Sequence, residues 1–279
     1  MIYLNGSLVP PEDAAIDPAD RGFLLGDGLF ETLRAYRGRV PWLDRHLDRL
    51  AAGAAQLGIP VPAPDLTAAV AETLRANGLE AADAALRITL TRGPGPRGLL
   101  PPATPQPTLM IAAHGLQTPA GAPLRAMIAA PRRNEHSPLA NLKTLNYLDN
   151  IVARREAAAA GADEALLLNT AGRLASASAG NLFLVRQRTL LTPPPSEGVL
   201  PGITRAVVLD LAPDLGLTAV ETPLEPDQLD QAHEAFVTNS LIELRPLVAV
   251  DGRPIGDGAP GPATGRLLQA YRERLAGEW

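Results

Sequence analysis

Strand-like runs and amphipathic helices are interleaved along this chain of 279 residues without a regular strand–helix–strand spacing. That irregularity constrains the fold most. A doubly wound parallel sheet needs a repeating crossover unit, so an α+β architecture is expected instead. The chain opens as a hairpin, with Ile2-Tyr3-Leu4 and Leu8-Val9 flanking Asn5-Gly6, a dipeptide suited to a tight primed turn. Strands are expected at 29–36, 86–91 and 109–113, and helices at 43–57 and 66–74, where apolar residues recur at helical spacing. Residues 117–123 are small, Pro-containing and aperiodic, as in a linker. Beyond them, strands are expected at 125–129, 165–168, 173–178, 182–185, 219–222 and 235–238, and helices at 146–160, 203–211 and 263–275. The pattern predicts a small N-terminal α/β domain over 1–116, a linker over 117–123 and a larger C-terminal α+β domain over 124–279.

Composition removes several classes of function. Hydrophobic residues make up 46% of the chain and charged ones 20%, enough to bury a core and too apolar for a disordered tail. No apolar run reaches the length of a membrane span, and the start lacks the layout of a signal peptide. A net charge of −5 gives no general attraction for nucleic acid or anionic membrane. Without cysteine there is no disulfide, thiolate nucleophile or thiolate metal site, and the four scattered histidines have no ligand spacing. A soluble, cytoplasmic protein with no bound metal is the expectation.

One count says more. Of the 25 basic residues only one, Lys143, is lysine. In a chain also rich in Ala, Gly and Pro, this suggests a drift that replaced Lys by Arg wherever either would serve. Arg forms ion pairs as well as Lys, but it cannot lose its proton to become a nucleophilic amine. A lysine that survives such drift is therefore a candidate for amine chemistry such as a Schiff base. The plainer alternative is that one lysine remained by chance.

Lys143 ends a loop in Leu142-Lys143-Thr144-Leu145-Asn146-Tyr147, just before the long predicted helix. With Asn150 to Ala157 and Gly161 to Ala165, this segment resembles the lysine region of the class IV (fold type IV) pyridoxal-phosphate enzymes. That family includes branched-chain aminotransferases, D-amino-acid transaminases and aminodeoxychorismate lyases. Asp20-Arg21-Gly22 with Gly26-Asp27-Gly28-Leu29-Phe30-Glu31-Thr32 looks like its opening motif, and Arg45-His46-Leu47-Asp48-Arg49-Leu50 like its phosphate-arginine helix. Gly180-Asn181-Leu182-Phe183, Leu200 to Arg205 and Phe236 to Ser240 follow in family order. Each motif is weak alone, but together they cover nearly the whole chain. The resemblance implies a two-domain fold with pyridoxal 5'-phosphate at the domain interface, Lys143 as the Schiff-base lysine, and a homodimer in which the partner contributes to each site.

The phosphate site also has a physical argument. Gly202-Ile203-Thr204 opens a predicted helix, whose first N–H groups and dipole suit an anion. Thr204 adds a hydroxyl, Arg49 a planar fork, and Ser240 stands where the family uses a further hydroxyl. The alternatives are a helix-cap role for Thr204 and a solvated surface role for Arg49.

One position departs from the family. Where its members carry a glutamate that keeps the pyridine nitrogen protonated, five residues before Asn181, this chain has Ser176. No Asp or Glu occurs from Ala165 to Ser196, so a small slip in alignment supplies none. A hydroxyl has no charge to stabilise a pyridinium. The weaker electron sink suits an elimination driven by aromatisation better than it suits transamination. Thr32, where branched-chain aminotransferases typically have glycine, points the same way. Arg97, in the loop Arg92 to Leu99, and Arg34 are candidates for a substrate carboxylate. The favoured expectation is an aminodeoxychorismate lyase that releases pyruvate from 4-amino-4-deoxychorismate to give 4-aminobenzoate. The alternatives are a D-amino-acid or branched-chain transaminase, and a non-catalytic pyridoxal-phosphate binding protein.

Overall fold

At the N-terminus β1 (Ile2–Leu4) and β2 (Ser7–Val9) pair antiparallel, and the Leu4–Ser7 pair closes a two-residue turn at Asn5-Gly6. The computed structural model describes residues 1–62, 65–116 and 121–277, and these divide into two units. The first comprises 1–116 with Leu142–Asn146, and the second 121–141 with 147–277. Part of the expected linker, 117–120, lies outside the described residues.

After the hairpin, the first unit holds α1 (Arg21–Leu25), β3 (Gly28–Ala35), α2 (Leu43–Leu57), α3 (Leu66–Ala76), β4 (Ala84–Thr91) and β5 (Thr108–Gly115). Its five strands run in the order β2-β1-β5-β4-β3. Side chains alternate across a strand. Leu29, Leu33 and Ala35 of β3 therefore share a face and enter the core with Leu50 and Ala54 of α2, while Phe30, Thr32 and Arg34 take the other face. Strand β3 is the sheet edge, and an edge offers unpaired N–H and C=O groups. Leu142–Asn146 uses them. The Phe30 N–H donates to the Lys143 carbonyl (2.9 Å) and the Leu145 N–H to the Gly28 carbonyl (3.0 Å). The lysine segment, which the sequence places in the C-terminal domain, thus packs with the first unit.

The second unit contains β6 (Leu124–Arg133), α4 (Leu148–Ala159), β7 (Glu164–Asn169), β8 (Leu174–Ala177), β9 (Asn181–Arg186), β10 (Thr189–Thr192), α5 (Ile203–Leu211), β11 (Thr218–Glu221), α6 (Gln228–Gln231), β12 (Glu234–Asn239), β13 (Glu243–Val250), β14 (Arg253–Pro254) and α7 (Pro262–Gly277). Its sheet runs β11-β10-β9-β12-β13-β6-β7-β8, with β14 paired to β13. Both faces of β7 are buried. Leu166 and Leu168 join Leu182, Leu184 and Val237 on one side, whereas Ala165 and Leu167 meet Ala153 and Ala157 of α4 on the other. The expected mixed α+β layout is present. Strand β13 is not foreseen, because Pro246 interrupts its apolar run. Pro246 still stands opposite Phe236 of β12, whereas the pairing with β6 begins one residue later at Leu247. No helix among the described residues is long and apolar enough to cross a membrane.

Candidate active site

Lys143 is half-buried at the β3 edge, with its Nζ 4.4 Å from the centroid of the Phe30 ring. Backbone pairing on both sides of the residue fixes where the amine starts, and the ring shields part of it from water. Phe30, Thr32 and Arg34 share one face of β3, so the amine stands on the face that carries Thr32. Arg34 is 8% exposed and directs Nη2 to Asp83 at 2.8 Å. That pair gives it a structural partner. Arg87 of β4 pairs opposite Thr32 and lays its guanidinium 3.8 Å from the Phe30 centroid. The sequence reading passes over Arg87, yet its place between Leu86 and Ile88 in an alternating strand could have revealed a cation on this face.

Arg49 lies on α2, which packs against the opposite face of β3. Its Nε and Nη2 donate to the two carboxylate oxygens of Glu31 at 2.8 and 2.7 Å, and His46 Nδ1 is 2.8 Å from the same carboxylate. Arg49 is therefore oriented, not loosely solvated. Burial alone would raise the Glu31 carboxyl, but hydrogen bonds from His46 and Arg49 and their charge outweigh it and hold the group below its ordinary value. Glu31 and His46 are quoted in the sequence motifs without a role. Their spacing of fifteen residues across a strand and a helix gives no local signal of the contact.

In the second unit Ser176 sits on β8 opposite Leu167, 7% exposed. Its buried Oγ has no hydrogen-bond partner among the described residues. The flanking carboxylates do not serve it. Glu164 accepts from the Ala165 and Ser178 backbone N–H groups and from the Ser178 hydroxyl. Glu197 accepts from Asn169 and from Arg173. Glu164 and Glu197, which bound the carboxylate-free stretch in sequence, are thus both bonded to other neighbours.

Helix α5 begins at Ile203, and its N-cap is Gly202, which offers no side chain to cap the first turn. Thr204 is buried in that turn and is not the cap. A Cβ on Gly202 would collide with Asn181 Oδ1 where that side chain now lies, so glycine permits this close approach. Asn181 also donates to the Leu200 carbonyl (2.9 Å) and pairs with Thr238 across β9 and β12. Ser240 follows β12, in a turn shaped by Asn239, whose Oδ1 accepts from the Leu241 and Ile242 N–H groups. Ile203, Thr204 and Ser240 are thereby tied to one end of β9 and β12. An uncapped first turn beside hydroxyls suits a phosphate, and a buried hydroxyl without a protein partner suits a ring nitrogen.

Comparison with known proteins shows the family. The model for amino-transferase class IV matches residues 28–250. A Methanocaldococcus jannaschii protein named for branched-chain-amino-acid aminotransferase activity is 38% identical over 276 residues, covering 98% of this chain and 95% of the relative. D-alanine aminotransferase of Bacillus licheniformis is 31% identical, with 99% and 98% covered. Aminodeoxychorismate lyase of Bacillus subtilis is 30% identical, with 99% and 94% covered. Among solved structures, the Escherichia coli branched-chain amino acid aminotransferase aligns with a TM-score of 0.92 at 30% identity, covering 99% of this chain and 95% of that one. The T.th. branched-chain enzyme with pyridoxamine 5'-phosphate aligns with a TM-score of 0.91 at 31% identity, covering 99% and 94%. The chain belongs to the class IV aminotransferases, with their fold type IV architecture.

Proposed function

We propose that this pyridoxal 5'-phosphate enzyme catalyses an elimination, the loss of pyruvate from 4-amino-4-deoxychorismate to give 4-aminobenzoate. Ser176 carries the reading. Its buried hydroxyl has no partner among the described residues, and the carboxylates flanking it in sequence are bonded to their own neighbours. Replacing a carboxylate by a hydroxyl at the ring nitrogen forfeits a charge-assisted hydrogen bond, about 1.5–3 kcal/mol. If the transition state bears all of that, the loss is roughly ten- to over a hundredfold in rate. A reaction driven by aromatisation absorbs such a loss more readily than transamination does.

When bound, the cofactor supplies the electron sink for the pair left behind as a proton leaves the amine-bearing carbon. Arg49, the first turn of α5 at Ile203 and Thr204, and Ser240 hold its phosphate, with Glu31 setting the plane of Arg49. Ser176 faces the ring nitrogen. Lys143 would hold the cofactor through its side-chain amine, and that amine, once free, would take the proton from the amine-bearing carbon of the substrate. The enolpyruvyl C–O bond then breaks, the carbocycle becomes aromatic, and the enol leaves to become pyruvate. Thr32 and Arg97 face the substrate, with the Arg97 guanidinium donating to the substrate's carboxylate. Arg87 joins them on the face that carries Lys143, and Arg34 contributes less because Asp83 holds it.

A second reading, transamination of a branched-chain or D-amino acid, is favoured by the 38% identity to the Methanocaldococcus jannaschii protein. A silent binder would keep the cofactor band without turnover. Homodimer formation is part of the reading, supported by the exposed Phe23, Leu24, Leu99 and Leu100 of the first unit. A cytoplasmic setting is part of the same reading. The test is incubation with 4-amino-4-deoxychorismate and no keto acid. Equal amounts of 4-aminobenzoate and pyruvate are expected. A cofactor-loaded protein that releases neither would overturn the elimination.

A further inference from the structure

Helix α7 is fastened to the β12–β13 hairpin at two places, by two buried carboxylates that the proposed reaction does not use. Glu234, the first residue of β12, accepts from the Ala263 and Thr264 N–H groups and from the Thr264 hydroxyl, each at 2.8 Å. It thus satisfies the first turn of the helix, whose N–H groups have no partner within the helix. The approach is close, since a Cβ on Gly261 would collide with the Glu234 side chain. Glu243, the first residue of β13, is 4% exposed, and Nε and Nη2 of Arg272 both lie 2.8 Å from its Oε2. Leu267 and Tyr271, which fall between the two fastenings, are buried.

The second fastening is the unusual one. Asn239 and Glu243 pair across the hairpin, so Ser240, Leu241 and Ile242 make the turn. Short hairpin loops often end on one left-handed residue, which is ordinarily glycine. Here that residue is Glu243, at φ 59°. A long side chain in this conformation is strained, and it persists only where its surroundings hold it. The conformation also redirects the side chain. Regular alternation would put Glu243, opposite Asn239, with Val237 and Leu247 on the face that packs with Leu182 and Leu184. Its carboxylate goes instead to α7, whose buried residues lie outside that cluster. Glycine would make the turn without strain but could not reach the helix.

We infer that Glu243 is a positioning residue: fastened to Arg272, it fixes the turn at 240–242 so that the Ser240 hydroxyl is presented to the phosphate of the cofactor. This rests on the reading of Ser240 given above. Asn239 Oδ1 holds the turn from its first end, through the Leu241 and Ile242 N–H groups. Glu243 holds it from the other. Ordering the turn in advance removes entropy that phosphate binding would otherwise have to supply.

The test uses the full chain loaded with pyridoxal 5'-phosphate or with pyridoxal, which lacks the phosphate. Equilibrium dialysis reads the dissociation constant of each. Ser240→Ala should weaken pyridoxal 5'-phosphate about ten- to a hundredfold, the worth of a hydrogen bond to a charged group. Glu243→Gln keeps the shape but loses the charge that draws Arg272, and should weaken the phosphate form about tenfold. Arg272→Met should do the same, and its side chain is 60% exposed, so it carries the comparison if Glu243→Gln misfolds. Pyridoxal should bind all three variants within about twofold of wild type, because the turn serves the phosphate alone. Glu243→Gln combined with Ser240→Ala should be no worse than Ser240→Ala, since one residue acts through the other. Equal weakening of pyridoxal and its phosphate would reveal a general loosening and overturn the positioning role. A loss in Ser240→Ala with none in Glu243→Gln or Arg272→Met would overturn that role alone. Unchanged affinity in Ser240→Ala would instead refute the reading of Ser240 on which it rests.

Discussion

Two polar regions of this molecule are built on opposite terms. Around α1, Asp20 accepts from the Gly22 and Phe23 N–H groups and from the Thr91 and Thr108 hydroxyls, and Asp27 binds two arginines. Each carboxylate there meets partners from its own chain. On β8, Ser176 buries a hydroxyl that meets none among the described residues. Native interiors rarely leave a buried polar atom unsatisfied, so each instance calls for an explanation. The first region holds the protein's own backbone in shape. The second fits an atom supplied from outside the chain, and a pyridine nitrogen is such an atom.

The comparison can be broken by substitution. The largest effect is expected from Lys143→Arg, which keeps the charge and removes the titratable amine. Turnover should fall by about a hundred- to ten-thousandfold, the usual worth of a positioned acid–base group, while phosphate-driven cofactor binding is partly retained. Rate assays with equilibrium dialysis of the cofactor check both, and substantial turnover would refute the assignment of the lysine. Next comes stability. Asp27→Ala strands two buried guanidiniums and should cost about 3–5 kcal/mol in urea unfolding. Ser176→Ala removes a hydroxyl with no partner in the chain and should leave the cofactor-free protein within about 0.5 kcal/mol of wild type. Similar losses in the two variants would erase the distinction between the regions.

Much of this was legible in the sequence, for reasons that particular residues show. Lys143 stands out because the chain has replaced lysine everywhere else, and Ser176 because no acidic residue lies between Ala165 and Ser196. Hairpin, helix and strand periods depend on near neighbours, so α2 is read over 43–57 and observed at Leu43–Leu57. Contacts between distant segments leave no such trace. The grip of Arg21 on the Leu99 carbonyl spans 78 residues, and the bond from Arg49 to Glu31 joins a helix to a strand. Backbone carbonyls carry no side-chain signature, which is why Asp20-Arg21-Gly22 is recognisable as a motif long before its work is visible. The edge pairing that draws Leu142–Asn146 to β3 is hidden for the same reason.

Smaller effects sharpen the same contrast. Ser176→Glu places a carboxylate where the chain has a hydroxyl. It should raise transamination relative to elimination by about ten- to a hundredfold, the rate equivalent of a charge-assisted hydrogen bond. Parallel assays of both reactions decide, and an equal fall in both would remove Ser176 from the account. The smallest effect concerns acid. Asp27 and Glu31 are both held below their ordinary values in the folded protein. Their stabilisation is therefore complete above the unfolded pKa, about 4, and is lost as pH falls through the folded values. Urea midpoints should decline below about pH 4, and Asp27→Asn should decline less steeply than wild type.

The most direct measurement is a single exposure of the cofactor-loaded enzyme to L- and D-amino acids without a keto acid. A transaminase must release keto acid in an amount matching its cofactor, with bleaching of the visible band. An eliminating enzyme should keep the band and release no such stoichiometric keto acid, yet still convert 4-amino-4-deoxychorismate. Persistence of the band is the expected result. A full stoichiometric release from any amino acid in the set would contradict the elimination and make this chain a transaminase that works without a carboxylate at position 176.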